Sequence, residues 1–235
     1  MFGGRYGSPS VFTPHISNEL WKFAGTSWTQ LPNAPVEREL AGFTFRPDSS
    51  GGKLVLFGGR DVSGAVRGET FEYDIATQSW AQLTPAVAPT PRYWVPMTFS
   101  MVNGACLLFG GYDGSSYQND TWLWDGAAWT LLTPAASPTA RARHGLTYDV
   151  GRQVAVLFGG TNNNPNATGA ETWEWAGTNW QQITTATSPF TNGASGIISP
   201  GFTYDVVRQV VIMACGAISS SASSGYQNEN WEYDG

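Results

Sequence analysis

The stretch Asn119-Asp120-Thr121-Trp122-Leu123-Trp124-Asp125 follows a short apolar run that closes with Phe109-Gly110-Gly111. A strand-like unit of this kind occurs five times, with its first aromatic residue at positions 21, 71, 122, 173 and 231. The steps between these positions are 50, 51, 51 and 58 residues. A period near fifty residues indicates a repeat architecture.

Each full repeat contains four short segments, which we name strands a, b, c and d. Strand b is almost continuously apolar, which predicts burial on both of its faces. Successive side chains of strand c point to opposite faces of the sheet, so its spaced aromatic residues lie on one face. Strand d is a short polar segment, as expected for an outer edge strand. The Phe-Gly-Gly end of strand b recurs at residues 2–4, 57–59, 109–111 and 158–160, and Ala214-Cys215-Gly216 takes its place in the fifth copy. The tryptophans of strand d lie at positions 28, 80, 129 and 180.

The glycine pair after strand b, the spaced aromatics of strand c and the tryptophan of strand d together resemble the kelch repeat family of β-propellers. The resemblance covers the whole chain. It implies an all-β, kelch-type β-propeller of four-stranded antiparallel blades, with about four and a half blades present. The predicted blades are a partial blade 1 (1–34), blade 2 (35–86), blade 3 (87–135), blade 4 (136–187) and a partial blade 5 (188–235).

Both ends depart from the kelch pattern. The first copy begins inside strand b, and the last copy has no strand d or final tryptophan. Kelch propellers in general have six or seven blades. We therefore expect further blades or domains in a longer chain, a shortened reading frame, or closure by an unusual pairing.

Composition excludes several classes of partner. The net charge is −6 and no basic run occurs, so we expect no nucleic-acid ligand. No apolar stretch reaches the ~18 residues that a membrane span needs. Cys106 and Cys215 are interpreted as buried apolar residues rather than a disulfide. The scarcity of lysine favours an extracellular or cell-surface location.

A ligand site is predicted on the face where the loops before strand a meet the loops after strand b. Arginines recur seven residues before the last aromatic of strand a, at Arg38, Arg92 and Arg141, whereas Ile197 takes this position in the fifth repeat. The remaining candidates for this rim are Arg60, Asp61, Tyr93, Trp94, Tyr112, Asp113, Arg143 and His144. Arginines and aromatic rings suit the recognition of carboxylates or sugars. A recurring arginine also fits a scaffold role, so both interpretations stay open.

Signals for catalysis are weak. The chain has no zinc-spaced Cys/His cluster, no Gly-x-Ser-x-Gly elbow and no phosphate loop. The cysteine, tyrosines and histidines of kelch-like copper oxidases cannot be placed on it, so we expect no metal or cofactor.

Three functions are therefore weighed. The first is a non-catalytic propeller that binds a protein or a glycan. The alternative is a carbohydrate-active enzyme that resembles kelch-type sugar-acid mutarotases, in which Arg92 or Arg141 would hold a carboxylate and Asp61, Asp113 or His144 would move protons. The third is a purely structural module of a larger secreted or cell-surface protein.

Overall fold

Short antiparallel strands form all of the regular structure in the computed structural model. It describes residues 1–6, 15–162, 171–189, 197–218 and 225–235, with the backbone alone for residues 5–6, 215, 218 and 225–228. Twenty strands and no helix occur in these residues. None of this described chain offers a helix able to cross a membrane.

Three complete blades occupy the middle of the chain. In each, consecutive strands a, b, c and d pair with their neighbours in antiparallel order. The first comprises β5 (Gly42–Arg46), β6 (Lys53–Phe57), β7 (Thr70–Asp74) and β8 (Ser79–Leu83). The second comprises β9 (Met97–Ser100), β10 (Ala105–Phe109), β11 (Thr121–Trp124) and β12 (Trp129–Leu132). The third comprises β13 (Gly145–Asp149), β14 (Val154–Phe158), β15 (Thr172–Trp175) and β16 (Trp180–Ile183).

Incomplete sheets flank these blades. The N-terminal part contains β1 (Arg5–Tyr6) paired with β2 (His15–Ile16), and β3 (Leu20–Ala24) paired with β4 (Ser27–Leu31). The C-terminal sheet contains β17 (Ile197–Ile198), β18 (Gly201–Asp205), β19 (Val210–Ile218) and β20 (Gly225–Tyr233). The predicted all-β propeller of four-stranded antiparallel blades is confirmed. The blade boundaries given above stay a prediction.

The apolar core lies between adjacent blades rather than within one blade. Strand b of the middle blade, β10, is buried along its whole length, with Leu107, Leu108 and Phe109 each 0% exposed. Leu108 packs with Phe57 of the preceding blade, whereas Leu107 and Phe109 pack with the following one. Cys106 shares this core as a free thiol, and burial raises its pKa to about 12. The prediction of strand b as buried on both faces is therefore accurate.

The glycine pairs form the backbone joint between blades. Gly58 and Gly59 have φ angles of 69° and 91°, in the left-handed region that disfavours other residues. The N–H of Gly59 donates to the carbonyl of Arg92 in the next blade at 2.8 Å. A Cβ atom on Gly58 would lie 2.4 Å from that same carbonyl oxygen. The same joint recurs between Gly4 and Arg38, Gly111 and Arg141, and Gly160 and Ile197.

The fifth repeat continues as strand where the other repeats turn. Here β19 extends to Ile218 and β20 begins at Gly225, whereas strand b of each complete blade ends at the Phe of its Phe-Gly-Gly segment. Only one glycine remains in the Ala214-Cys215-Gly216 segment, and the ladder there contains a bulge between Ala214 and Gly216. A single bulge bends a strand without ending it, so the β19–β20 strand pair is longer than the b–c strand pairs of the complete blades.

Candidate functional site

The loops before strand a and after strand b lie side by side on one face, which we call the loop face. Isolated backbone bridges join them at Glu39 and Arg60 and at Tyr93 and Tyr112. A third bridge joins Ala142 to Thr161. Each complete blade thus presents these two loops together.

A chain of backbone hydrogen bonds runs from blade to blade along this face. The N–H of Trp94 donates to the carbonyl of Leu40 at 2.8 Å, and the N–H of Arg143 donates to that of Trp94 at 3.1 Å. Ser199 continues the series with a bond of 2.7 Å to Arg143. All four residues have φ between 53° and 61°. Non-glycine residues in this region are strained, and such residues cluster at functional positions in proteins. Hydrogen bonds from the neighbouring blades hold the backbone of these loops in this conformation.

Six side chains meet at the middle of the loop face. Arg143 stacks on the ring of Trp94, with its guanidinium carbon 3.4 Å from the ring centroid. The Tyr93 ring lies 4.5 Å from Trp94 and 5.6 Å from Tyr112, centroid to centroid. Two further residues complete the group: Arg60 lies 4.9 Å over Tyr93, and Tyr117 packs 4.7 Å from Tyr112. We call this group the arginine–aromatic cluster; it comprises Arg60, Tyr93, Trp94, Tyr112, Tyr117 and Arg143.

The two arginines of the cluster differ in their electrostatic partners. Arg60 donates to the Glu39 carboxylate at 2.6 Å. Arg143 forms no ion pair with any residue in the described part of the chain. Partial burial lowers the pKa of the Arg143 guanidinium from its usual value, although arginine stays charged. Its buried Nε atom has no hydrogen-bond acceptor among the described residues.

The three recurring arginines lie elsewhere. Arg38, Arg92 and Arg141 are 5%, 1% and 0% exposed, and each pairs with the acidic residue that precedes strand c of its own blade. Arg92 illustrates the pattern. Its guanidinium donates to both carboxylate oxygens of Asp120 at 2.5 and 2.9 Å and to the Gly110 carbonyl at 2.9 Å.

The same acids also anchor strand c, because the indole Nε1 of Trp122 donates to Asp120 at 2.7 Å and that of Trp173 donates to Glu171 at 3.1 Å. The ion pairs of these three arginines thus lie within the scaffold, apart from the contacts of the arginine–aromatic cluster.

Asp61 and Asp113 organise the loops that contain them. Asp61 accepts bonds from the Ser63 hydroxyl and from two backbone N–H groups, and it pairs with Arg67. The Ser63 hydroxyl is the main reason that the pKa of Asp61 is lowered. Asp113 likewise accepts from two backbone N–H groups and from the Gln118 amide. The lowered pKa makes Asp61 a poor proton carrier at neutral pH.

His144 lies beneath the loop face rather than on it. Its side chain is 4% exposed and packs edge-on against Phe109 at 5.6 Å between ring centroids. Neither ring nitrogen has a hydrogen-bond partner in the described structure, and burial holds its pKa well below the usual 6.5. The three candidate proton carriers of the enzymatic hypothesis therefore differ in their surroundings: Asp61 and Asp113 each bind the backbone of their own loop, and His144 is buried beneath the loop face. The described residues also contain no group of three or more potential metal ligands.

The structure thus brings together five of the predicted site residues, Arg60, Tyr93, Trp94, Tyr112 and Arg143. The side-chain partners identified for the other six candidates lie outside this group. Those candidates are Arg38, Arg92, Arg141, Asp61, Asp113 and His144. The structure also adds Tyr117, which the sequence reasoning missed. Tyr117 reaches the cluster because a backbone bridge to Tyr112 closes the intervening turn, and the turn residues Asp113-Gly114-Ser115-Ser116 are the only signal of that return.

The repeated four-stranded blades and their glycine joints define a β-propeller. A model of the KLHDC2/KLHL20/DRC7 Kelch-repeats domain matches residues 1–199. The chain therefore belongs to the kelch-repeat family, as its repeat motifs indicate. No curated protein gives a significant match to the chain.

Proposed function

We propose that the chain is a non-catalytic kelch propeller that binds an acidic segment of a partner protein through the arginine–aromatic cluster. Kelch propellers commonly mediate protein binding. The single observation that supports the choice of ligand is Arg143, a half-buried cation with no carboxylate partner among the described residues. Every other arginine whose side chain is described forms an ion pair.

The geometry around Arg143 suits a carboxylate. Stacking on Trp94 fixes the plane of the guanidinium, which reduces the entropy lost when it forms two parallel hydrogen bonds to an Asp or Glu side chain. The surrounding tyrosines exclude water from one side, which strengthens a charged hydrogen bond. Tryptophan, tyrosine and arginine are also the residues most enriched among energetic hot spots of protein interfaces.

A glycan remains the other ligand that the sequence predicts. The packing supports it less well, because the Arg143 guanidinium covers one face of the Trp94 ring at 3.4 Å and that face is closed to a sugar. The remaining rings of the cluster lie tilted against one another.

The test is a selection of random peptides displayed on phage against the full chain. We expect the selected peptides to be enriched in Asp and Glu. The best peptide should bind the Arg143→Gln variant about ten- to a hundredfold more weakly, the loss expected for one charge-assisted hydrogen-bond pair.

The matched control is Arg208→Gln, which removes the same charge from a half-exposed arginine paired with Asp205 and Glu232. It should change the affinity by less than about twofold, because exposed pairs contribute little. Equal losses in the two variants, or peptides without acidic enrichment, would refute the proposed site.

A further inference from the structure

The Tyr93 side chain is buried except at its hydroxyl. The residue is 7% exposed, and its hydroxyl has no hydrogen-bond partner among the described residues. That oxygen still reaches solvent, in contrast to the Tyr73 hydroxyl, which is sealed in the core without a partner. The O–H of a buried tyrosine usually has an acceptor within the protein. The Tyr93 hydroxyl is therefore a donor held at the loop face without an internal acceptor.

The scaffold does not need this hydroxyl. Tyr93 pairs with Tyr112 in the backbone bridge that joins the two loops of its blade. Glu39 and Ala142 form the equivalent bridges in the neighbouring blades, and the Ala142 side chain has no polar group. The same bridge therefore forms with three different residue types, and the O–H of Tyr93 adds chemistry that the bridge does not require.

Three neighbours fix the direction of the Tyr93 ring. The Trp94 ring lies 4.5 Å away, and the Tyr112 ring meets it edge-on at 5.6 Å, centroid to centroid. The Arg60 guanidinium covers the ring at 4.9 Å and is itself bound to Glu39 at 2.6 Å. A hydroxyl on a ring confined in this way loses little further freedom when it binds an acceptor, so it is preorganised for a ligand.

Arg143 lies on the same group of rings. Its guanidinium stacks at 3.4 Å on Trp94, which is also the ring that packs against Tyr93. Burial is the main cause of the lowered pKa of Arg143, and the phenol groups of Tyr117 and Tyr93 oppose that shift electrostatically. The Tyr93 phenol and the Arg143 guanidinium thus act on each other across one site.

The charge of the cluster matches one carboxylate. Glu39 balances the positive charge of Arg60, so the charge of Arg143 is the one left without a partner among the described residues. A carboxylate has about four lone-pair positions. It can therefore accept two N–H bonds from Arg143 and still accept an O–H bond from Tyr93.

We propose that the Tyr93 hydroxyl is the second donor of the ligand site, and that one Asp or Glu carboxylate of the partner accepts from it and from the Arg143 guanidinium. This inference rests on the proposed function, because it assigns a further binding residue to the same site. The pair of donors also makes the site selective. An Asn or Gln amide offers these donors only one oxygen, and its NH₂ group cannot accept from them.

The test uses a probe with a single carboxylate, the α-amide of N-acetylglutamate. The ¹⁵N-labelled full chain is titrated with this compound, and the Trp94 Nε1–H signal is followed by NMR. We expect saturable binding, and the corresponding glutamine compound should bind about ten- to a hundredfold more weakly. Tyr93→Phe, which removes only the hydroxyl, should bind the glutamate compound at least about tenfold more weakly.

The matched control is Tyr73→Phe, which removes a hydroxyl that also has no partner but lies sealed in the core. This variant should bind the glutamate compound with unaltered affinity. Thermal unfolding separates a binding role of Tyr93 from a structural one. Tyr93→Phe loses no internal hydrogen bond of the described chain, so its Tm should equal that of the natural chain.

The outcomes distinguish this inference from the proposal on which it rests. If Tyr93→Phe binds the glutamate compound as tightly as the natural chain while Arg143→Gln does not, the role of Tyr93 is overturned and the acidic ligand stands. A Tm of Tyr93→Phe lowered together with its affinity would assign the hydroxyl to the scaffold instead. No saturable binding, or equal affinity for the glutamate and glutamine compounds, would overturn both.

Discussion

Arg141 and Arg143 are two residues apart, and we assign Arg141 to the scaffold and propose Arg143 as a ligand residue. Replacing each by methionine tests this division. Arg141 is 0% exposed and donates to the carbonyls of Thr139 and Gly159 at 3.0 and 3.1 Å. It also donates to the Thr139 hydroxyl and to the Glu171 carboxylate. Methionine fills a similar volume but donates to none of them.

The expected loss can be worked from these contacts. Breaking a buried ion pair by removing one partner costs about 3–5 kcal/mol. Glu171 keeps the bond from Trp173 and is 26% exposed, so water can solvate it in part. We therefore expect the lower end of that range, about 3 kcal/mol, for Arg141→Met. For a chain of this length each kcal/mol lowers Tm by about 2–4 °C, which gives a fall of about 6–12 °C.

Arg143→Met is the matched control. Its main loss is the stacking on Trp94, which contributes about 0.5–2 kcal/mol. Both variants are measured by urea unfolding followed by circular dichroism and by scanning calorimetry. Equal Tm values for the two variants, or a larger fall in Tm for Arg143→Met, would refute the division into a scaffold arginine and a ligand arginine.

Two further predictions concern the joint and the buried histidine. Gly58→Ala should destabilise the chain by more than about 2 kcal/mol, because its Cβ atom would lie 2.4 Å from the Arg92 carbonyl. Gly64→Ala, also at a positive φ but with no atom within 4 Å, should lose only about 1 kcal/mol. Denaturant titrations measure the free energy of unfolding of the two variants. Equal losses of that free energy would contradict the close packing of Gly58 at the joint between blades. His144 has a lowered pKa in the folded chain, so the unfolded state binds more protons below about pH 6.5 and stability falls as pH falls. The apolar variant His144→Val should lose less stability between pH 7.5 and 5.5 than the natural chain. An identical pH dependence of the two proteins would contradict the lowered pKa of the buried His144.

Much of the fold follows from local chemistry that the sequence displays directly. Two successive glycines after an apolar run end strand b because they supply left-handed backbone and room for the next blade. Where one of them is missing, in the Ala214-Cys215-Gly216 segment, the strand continues instead. The pairing partners of the strand d tryptophans lie about 59 residues away in another blade, as in Trp129 and Thr70, so only the packed blades reveal them.

The sequence could predict only in part which candidate side chains lie together on the loop face, and the reason is physical. Arg141 and Arg143 are close in sequence, and residue type alone does not tell which one is buried. Their behaviour across the repeats does distinguish them. The Arg141 position is also arginine in two other blades, where it forms the same ion pair with the acidic residue before strand c. The Arg143 position is Leu40, Trp94 and Ser199 elsewhere, which is the variation expected of a recognition surface.

The central claim is that an acidic partner binds at the arginine–aromatic cluster, and the indole N–H signals of the chain test it most directly. The selected acidic peptide is added to ¹⁵N-labelled protein, and the tryptophan Nε1–H resonances are followed by NMR. We predict that the Trp94 signal shifts with saturation, while the signals of the buried Trp129 and Trp180 stay in place. Shifts confined to Trp231 or to the tryptophans between blades, with Trp94 unchanged, would contradict the claim.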